Sequence, residues 1–396
     1  VIDWVPKAAA LAELLVRDTA ITDPVWRSVF AALPRHLFVP SYWALDEYNS
    51  PAVLVDGADP GQRAAWLDTV YSDRFLITQW APGDYDGRPI RIVTSSASQP
   101  RTVAVMLDRL AVADGHRVLE VGTGTGYNAG LLSARLGDDC VTSVDLDPAL
   151  VADAAGALAA AGYSPGLFAT DGAHGWPGGA PYDRIIATCA VDDIPEAWID
   201  QLTPGGRIVA PLTFGGALVV LDKIGEAEVR GAVDSFAVYF MPLRASLGQA
   251  KPETIAPVLP AAGGISHQGS TAMDPTSLDD PDFQLWLALH LRGVHVATGY
   301  RDGRRSNVTV YTSRSQATCL IEPAAGMESL RAVVQYGSRL WDTVESAWFS
   351  WVRLGRPDRS RLRLVARSEG PSFFQCADVE PPHTWPASVE PRESRR

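Results

Sequence analysis

Three glycines at alternate positions, Gly122, Gly124 and Gly126, stand inside R-V-L-E-V-G-T-G-T-G-Y-N-A-G-L-L, residues 117–132. Residues 117–121 read as a buried strand, residues 122–126 as a tight loop, and Tyr127 as the start of a helix. Strand, glycine loop and helix in that order suit a nucleotide-like cofactor, because glycines admit backbone conformations that side chains forbid and let main-chain amides approach a ligand. The three glycines would form the floor of its pocket.

The surrounding residues narrow the ligand. A dinucleotide site uses G-x-G-x-x-G, whereas here the spacing is G-x-G-x-G and Glu120 precedes it, an acid that would repel a pyrophosphate. No G-K-[ST] follows, so a phosphate-binding P-loop is excluded as well. An acidic residue there suits a cation, and S-adenosylmethionine carries an amino group and a sulfonium. The next expected strand, residues 141–147, contains Asp145, about 20 residues beyond the loop, where a carboxylate accepts both ribose hydroxyls. The competing reading is a structural glycine turn with an unrelated aspartate.

A second chemical grouping is T-S-S-A-S-Q-P, residues 94–100, just ahead of a helix with Val103, Met106, Leu107 and Leu110 on its inner face. Two uses are open. Ser96 or Ser98 could cap the helix, or the hydroxyls and helix-end amides could bind an anion such as a carboxylate.

These groups need a scaffold, and the length of 396 residues suggests two domains. Residues 1–243 carry 16 Lys and Arg against 30 Asp and Glu, and residues 244–396 carry 18 against 16. An acidic first domain argues against nucleic acid. Cys140, Cys189, Cys319 and Cys376 are widely spaced without C-x-x-C, which fits reduced thiols in cytoplasm. No signal peptide or membrane span is expected, since the apolar runs are short. His290 and His295 share no helical face, so no metal site is expected.

Along the chain, helices are predicted at residues 7–17 and 24–33, the second capped by Asp23. P-R-H-L-F-V-P, residues 34–40, reads as extended. Residues 50–91 read as a long connection containing Trp66, Tyr71, Phe75 and Trp80, either an ordered flap beside the site or a packed insertion without catalytic consequence. Beyond the glycine loop, strand and helix alternate: helix 150–161, strand 166–170 ending at Asp171-Gly172, strand 181–190, helix 194–202, then strands 202–212, 217–224 and 236–243. Asp171 could accept the adenine amino hydrogen bond. The pattern predicts an α/β fold with a mainly parallel sheet and helices on both faces. Residues 244–282 read as a linker, and residues 283–396 as an α+β accessory module with an apolar segment at 283–291, a strand at 307–312, a long helix at 328–354 and a strand at 362–366. Its basic run, Arg353, Arg356, Arg359, Arg361, Arg363 and Arg367, reads as a solvated face or as a surface for an acidic peptide.

The quoted segments, with S-V-D-L-D-P, T-D-G, P-Y-D-R-I-I-A-T and L-T-P-G-G-R-I-V-A-P-L, resemble the protein-L-isoaspartate O-methyltransferase family in the family's order, over roughly residues 8–243. The resemblance implies a Rossmann-like, S-adenosylmethionine-dependent methyltransferase domain whose product is S-adenosylhomocysteine. It places Glu120, Gly122, Thr123, Gly124, Thr125, Gly126 and Tyr127 at the cofactor, with Asp145 and Leu146 at the ribose and Asp171 and Gly172 at adenine. Ser96 and Ser98 become the groups that orient the reacting carboxylate, with Ser95 and Gln99 beside the substrate. Ser96 stands where the family usually has threonine, residues 50–91 are longer than in the housekeeping repair enzyme, and residues beyond 243 are additional.

Those departures resemble the branch associated with ribosomally made, modified peptides such as lanthipeptides and graspetides. That branch esterifies an ordinary aspartate in a cyclised precursor peptide to give an aspartimide and then isoaspartate. Repair of isoaspartyl residues in aged proteins is the alternative activity, and a non-catalytic cofactor-binding scaffold is a further one.

Overall fold

The computed structural model describes residues 3–46, 50–85, 88–245, 266–312, 315–322, 330–376 and 383–387. Apolar residues at three- and four-residue spacing fold into α1 (Val5–Arg17) and α2 (Pro24–Ala32), burying Leu11, Leu15, Trp26 and Phe30. The Asp23 carboxylate accepts the Val25 N–H and caps α2. The stretch expected to be extended contains a helical turn instead, α3 (Arg35–Phe38), because Pro34 fits the cap position, where its missing N–H costs nothing, and Arg35 and Phe38 find a buried setting.

The described residues of the long connection form regular elements. They supply β2 (Pro51–Asp56), α4 (Arg63–Val70) and β3 (Leu76–Tyr85), which with β1 (Ser41–Leu45) and β4 (Arg88–Ala97) form an antiparallel sheet in the order β2-β1-β3-β4. Irregular register in β3 between Ile77 and Trp80 faces the serines at the end of β4. Such bulges bend a strand and re-aim its side chains. After β4 comes α5 (Pro100–Leu110).

The main sheet begins with β5 (Val118–Val121), followed by α6 (Tyr127–Leu136), β6 (Val141–Asp145), α7 (Pro148–Ala160), β7 (Gly166–Ala169), β8 (Tyr182–Ala187), α8 (Glu196–Asp200) and β9 (Leu202–Pro211). Strands β9-β8-β5-β6-β7 pair in parallel, as the alternation predicted. The chain leaves β5 toward β6 and β7, then returns to β8 on the other side, so a crevice opens beyond the carboxyl end of β5.

The other half of this sheet is antiparallel. Strands β10 (Leu218–Lys223) and β11 (Glu228–Val233) continue it, but residues 236–243 form no strand and only Pro242 makes an isolated bridge, to Ala190. The alternating E-V-R-G-A-V of β11 takes the sheet position instead. Then β17 (Leu362–Arg367), β18 (Phe373–Cys376) and β19 (His383–Pro386) complete ten strands, so the expected mainly parallel sheet is parallel only over its site-bearing half.

Between these lie β12 (His267–Thr271), α9 (Pro281–His290), β13 (His295–Arg301), β14 (Arg304–Tyr311), β15 (Gln316–Leu320), β16 (Arg331–Tyr336) and α10 (Leu340–Arg353). Strand β12 and the start of α9 fall in the expected linker, whose residues 246–265 lie outside the described residues. The helix expected over 328–354 divides into β16 and α10: R-A-V-V-Q-Y has strand-forming branched residues, and Gly337, at φ +80°, breaks the run. Strands β12-β16-β15-β14-β13 form a separate antiparallel sheet.

The two faces of the main sheet bury different partners. Val118, Ile186, Val209 and Leu218 pack with α1, α2, α5 and α6. Leu119, Val219, Leu221 and Val229 pack in one cluster with Trp198 of α8, Phe283 and Trp286 of α9, and Trp341 of α10. The C-terminal region is therefore the second cover of the main sheet as well as its outer strands.

Candidate active site

The glycine loop turns back over the end of β6. Gly122 N–H and Thr123 N–H both donate to the Val144 carbonyl, at 2.8 and 3.1 Å, and Gly124 N–H donates to an Asp145 carboxylate oxygen at 2.8 Å. Gly122, Gly124 and Gly126 have φ of +104°, +50° and +83°, the left-handed region that glycine enters without penalty. A Cβ on Gly122 would lie 2.8 Å from the Thr188 hydroxyl, whereas one on Gly124 would meet nothing nearer than the Ser96 carbonyl at 3.9 Å and the Ser95 hydroxyl at 4.0 Å. Gly124 is thus the floor of a gap roofed by the serine segment.

The serines do not cap α5. Its N-cap is Gln99 without a side-chain cap bond, and the Arg101 N–H is taken by the distant Asp73 carboxylate at 2.8 Å. Ser95 is buried and accepts from the Thr78 hydroxyl at 3.2 Å, while the partly exposed Ser96 and Ser98 hydroxyls have no hydrogen-bond partner among the described residues. Gln99 points away from the gap, its amide donating to the Asp73 carboxylate at 3.0 Å.

Several expected cofactor residues lie beneath the loop. Glu120 is fully buried, one oxygen receiving Asn128 Nδ2–H and the other the Ser143 hydroxyl, each at 2.7 Å. Thr123 bonds Ser143 at 2.6 Å, and Tyr127 packs between Phe30 and Phe38. These three support the loop from the core, whereas Gly122, Gly124, Thr125, Asp145 and Leu146 retain exposure. Burial pushes the Glu120 carboxyl up to about 7, an effect opposed by its two hydrogen bonds and reinforced by Asp145.

Asp171 is partly exposed and accepts the Ala173 N–H at 2.9 Å, while Gly172 is buried, with the Trp198 indole donating to its carbonyl at 2.8 Å. Asp171 borders a cavity whose other walls include Val191, Asp192, Thr213 and Arg244. Sequence reasoning did not single these out, although Val191, Asp192 and Thr213 stand shortly after β8 and β9, the signal that strand ends carry in such sheets. Arg244 also donates to the Thr94 carbonyl at 3.3 Å, tying this wall to the serine segment. Thr188 donates to the Gly122 carbonyl at 2.6 Å. Cys189 is no nucleophile at neutral pH, because burial pushes its thiol up to about 12.

The C-terminal arginines do not form one basic face. Arg359 is buried and bonds the Gly216 carbonyl at 2.9 Å and Asp282 at 3.0 Å, and Arg367 pairs with Glu228 at 2.7 Å. Their chief visible role is to fasten the C-terminal region to β10, β11 and α9. His290 likewise sits in a ring cluster with Trp286 and Trp385. No group of three or more metal-ligating side chains occurs among the described residues, and no helix among them is long and apolar enough to cross a membrane.

The profile of the family described as "Protein-L-isoaspartate(D-aspartate) O-methyltransferase (PCMT)" matches residues 62–247. A protein-L-isoaspartate O-methyltransferase from Methylorubrum extorquens is 40% identical over 194 residues, covering 48% of this chain and 84% of the relative. Protein-L-isoaspartate O-methyltransferase 2 from Archaeoglobus fulgidus is 31% identical over 250 residues, covering 62% and 96%. A solved protein-L-isoaspartate O-methyltransferase superposes with a TM-score of 0.51 at 20% identity, covering 93% of this chain and 99% of that one, a likeness of fold. With the glycine loop, Asp145 and the serine segment arranged as described, these matches show that the chain belongs to the protein-L-isoaspartate O-methyltransferase family.

Proposed function

We propose that this chain transfers the methyl group of S-adenosylmethionine to the free α-carboxylate of an isoaspartyl residue in a protein or peptide, the side-chain carboxyl of such a residue being tied up in the main-chain amide. The observation that carries the reading is the approach of the serine segment to the glycine loop, the Ser96 carbonyl and the Ser95 hydroxyl lying 3.9 and 4.0 Å from the place that a Gly124 Cβ would take. Family membership supplies the donor and the acceptor class.

The chemistry asks for alignment more than for acid or base. The acceptor is an α-carboxyl, with an ordinary value of about 3.3–3.7, and is already ionised at neutral pH. One of its oxygens attacks the methyl carbon, the carbon–sulfur bond breaks, and sulfur keeps the electron pair as S-adenosylhomocysteine. The free Ser96 and Ser98 hydroxyls hold the carboxylate in line with the methyl–sulfur bond. The resulting ester has methanol as a leaving group, so the next backbone amide nitrogen closes a five-membered imide without further help.

A second reading keeps the same step but takes an ordinary aspartate in a cyclised precursor peptide. What favours it is structure outside the family match beside the serines: β1 and β2, half of the sheet whose last strand runs into them. Offering the purified protein a linear isoaspartyl peptide and a cyclised aspartyl peptide, and following a 14-dalton gain by mass spectrometry, decides. Turnover of the linear peptide supports the first reading, turnover of the cyclic one alone supports the second, and no transfer to either leaves a cofactor-binding scaffold.

A further inference from the structure

Arg35 is wholly buried, and its guanidinium is spent on main-chain carbonyls. One terminal nitrogen donates to Val70 at 2.8 Å and Ser72 at 3.2 Å, the other to Arg74 at 3.3 Å and Ser98 at 3.0 Å. The same group lies over the ring of Tyr127, 5.5 Å from its centre, at the first residue of α6. Its Nε has no partner among the described residues. Asp73, itself in the 70–74 turn, accepts the Gln99 amide at 3.0 Å, the Arg101 N–H at 2.8 Å and the Arg101 Nε at 3.1 Å. The turn at 70–74 and the segment at 98–101 are therefore bolted together twice, by a cation and by a carboxylate.

Removing a charge from water costs several kcal/mol, and well-packed apolar groups fill such a space at less cost. A flat fork of donors does what apolar groups cannot: it fixes four carbonyls from two distant segments in one plane. We infer that Arg35 and Asp73 are positioning residues, which lock the serine segment onto the 70–74 turn and so set where the Ser96 and Ser98 hydroxyls stand. The inference rests on the reading that these serines hold the acceptor carboxylate.

The test combines hydrogen exchange with kinetics for Arg35→Met, Arg35→Lys and Asp73→Asn in the full chain. Exchange at residues 70–74 and 95–101 should rise together by about tenfold, as expected when one or two hydrogen bonds are lost from a locally opening segment. Exchange at residues 122–127 and the calorimetric affinity for S-adenosylhomocysteine should stay close to those of the unaltered protein. Turnover of the isoaspartyl peptide should fall about 100-fold, the scale set by a misplacement near 1 Å, chiefly in kcat. Should Arg35→Met fail to fold, Arg35→Lys keeps the charge but not the fork and should show the same pattern. Loosening confined to one segment, equal loosening of residues 122–127, or unchanged turnover in a protein that methylates the peptide overturns the inference. If the unaltered protein methylates nothing, the proposed function falls, and the exchange pattern alone decides the clamp.

Discussion

Replacing Glu120 by glutamine isolates the cost of a buried carboxylate under the cofactor loop. In the native protein this carboxyl titrates at about 7, against an ordinary value of 4.5, chiefly because it is fully buried. Between these pH values the native state holds a proton that the unfolded chain has released, so stability falls as pH rises from 4.5 through 7. At 1.36 kcal/mol for each pH unit, the loss amounts to about 3 kcal/mol. Glutamine keeps the geometry: its carbonyl accepts from Asn128, and its amide donates to Ser143, whose hydroxyl then donates to Thr123. Urea unfolding of both proteins from pH 4 to 8 measures the effect. Glu120→Gln should gain on the unaltered protein by about 3 kcal/mol across that range, with the difference flat above neutrality. A difference between the two proteins that does not change with pH refutes the reasoning, because other titrating groups are common to both.

Ser96→Ala and Ser98→Ala should each lower kcat for the isoaspartyl peptide by about 10- to 100-fold while leaving S-adenosylhomocysteine affinity nearly intact, as steady-state kinetics and calorimetry will show. Gly122→Ala places a methyl 2.8 Å from the Thr188 hydroxyl at a φ of +104°, so it should cost about 1–3 kcal/mol and abolish cofactor binding measured by calorimetry. Leu364→Ala, at a fully buried position in β17, should cost about 2–5 kcal/mol in a urea titration. Ending the chain after residue 244 should abolish methyl transfer and cooperative unfolding together, because it strips Phe283, Trp286, Leu364 and Phe374 from a core shared with Val219 and Leu221. A soluble, active truncation would contradict the shared core.

The parallel half of the fold was legible because β5 to β9 are short apolar runs separated by capped helices and glycine turns, each of which carries its own local signal. The glycine loop and Asp145 were legible for the same reason. What the sequence does not carry is facing. Glu120 precedes the loop in sequence, but its side chain turns inward, to Asn128 of α6 and Ser143 of β6. The serines looked equally suited to capping, and only the arrival of Asp73 from a distant turn frees them. The arginines after Arg353 looked like one surface because spacing alone does not reveal that Arg359 points inward. The C-terminal region read as an appendage because a strand's partner is invisible in sequence: nothing in L-R-L-V-A-R names β11.

Strand β17 joins β11 through a contact spanning 139 positions of chain, from Glu228 to Arg367. During synthesis, β11 must therefore wait with one unpaired edge for more than a hundred further residues to leave the ribosome. Long-range pairings of this kind close late and leave a template for wrong partners in the meantime. Yield in a heterologous host should accordingly depend on chaperone supply and growth temperature more strongly than the stability of the finished protein would suggest.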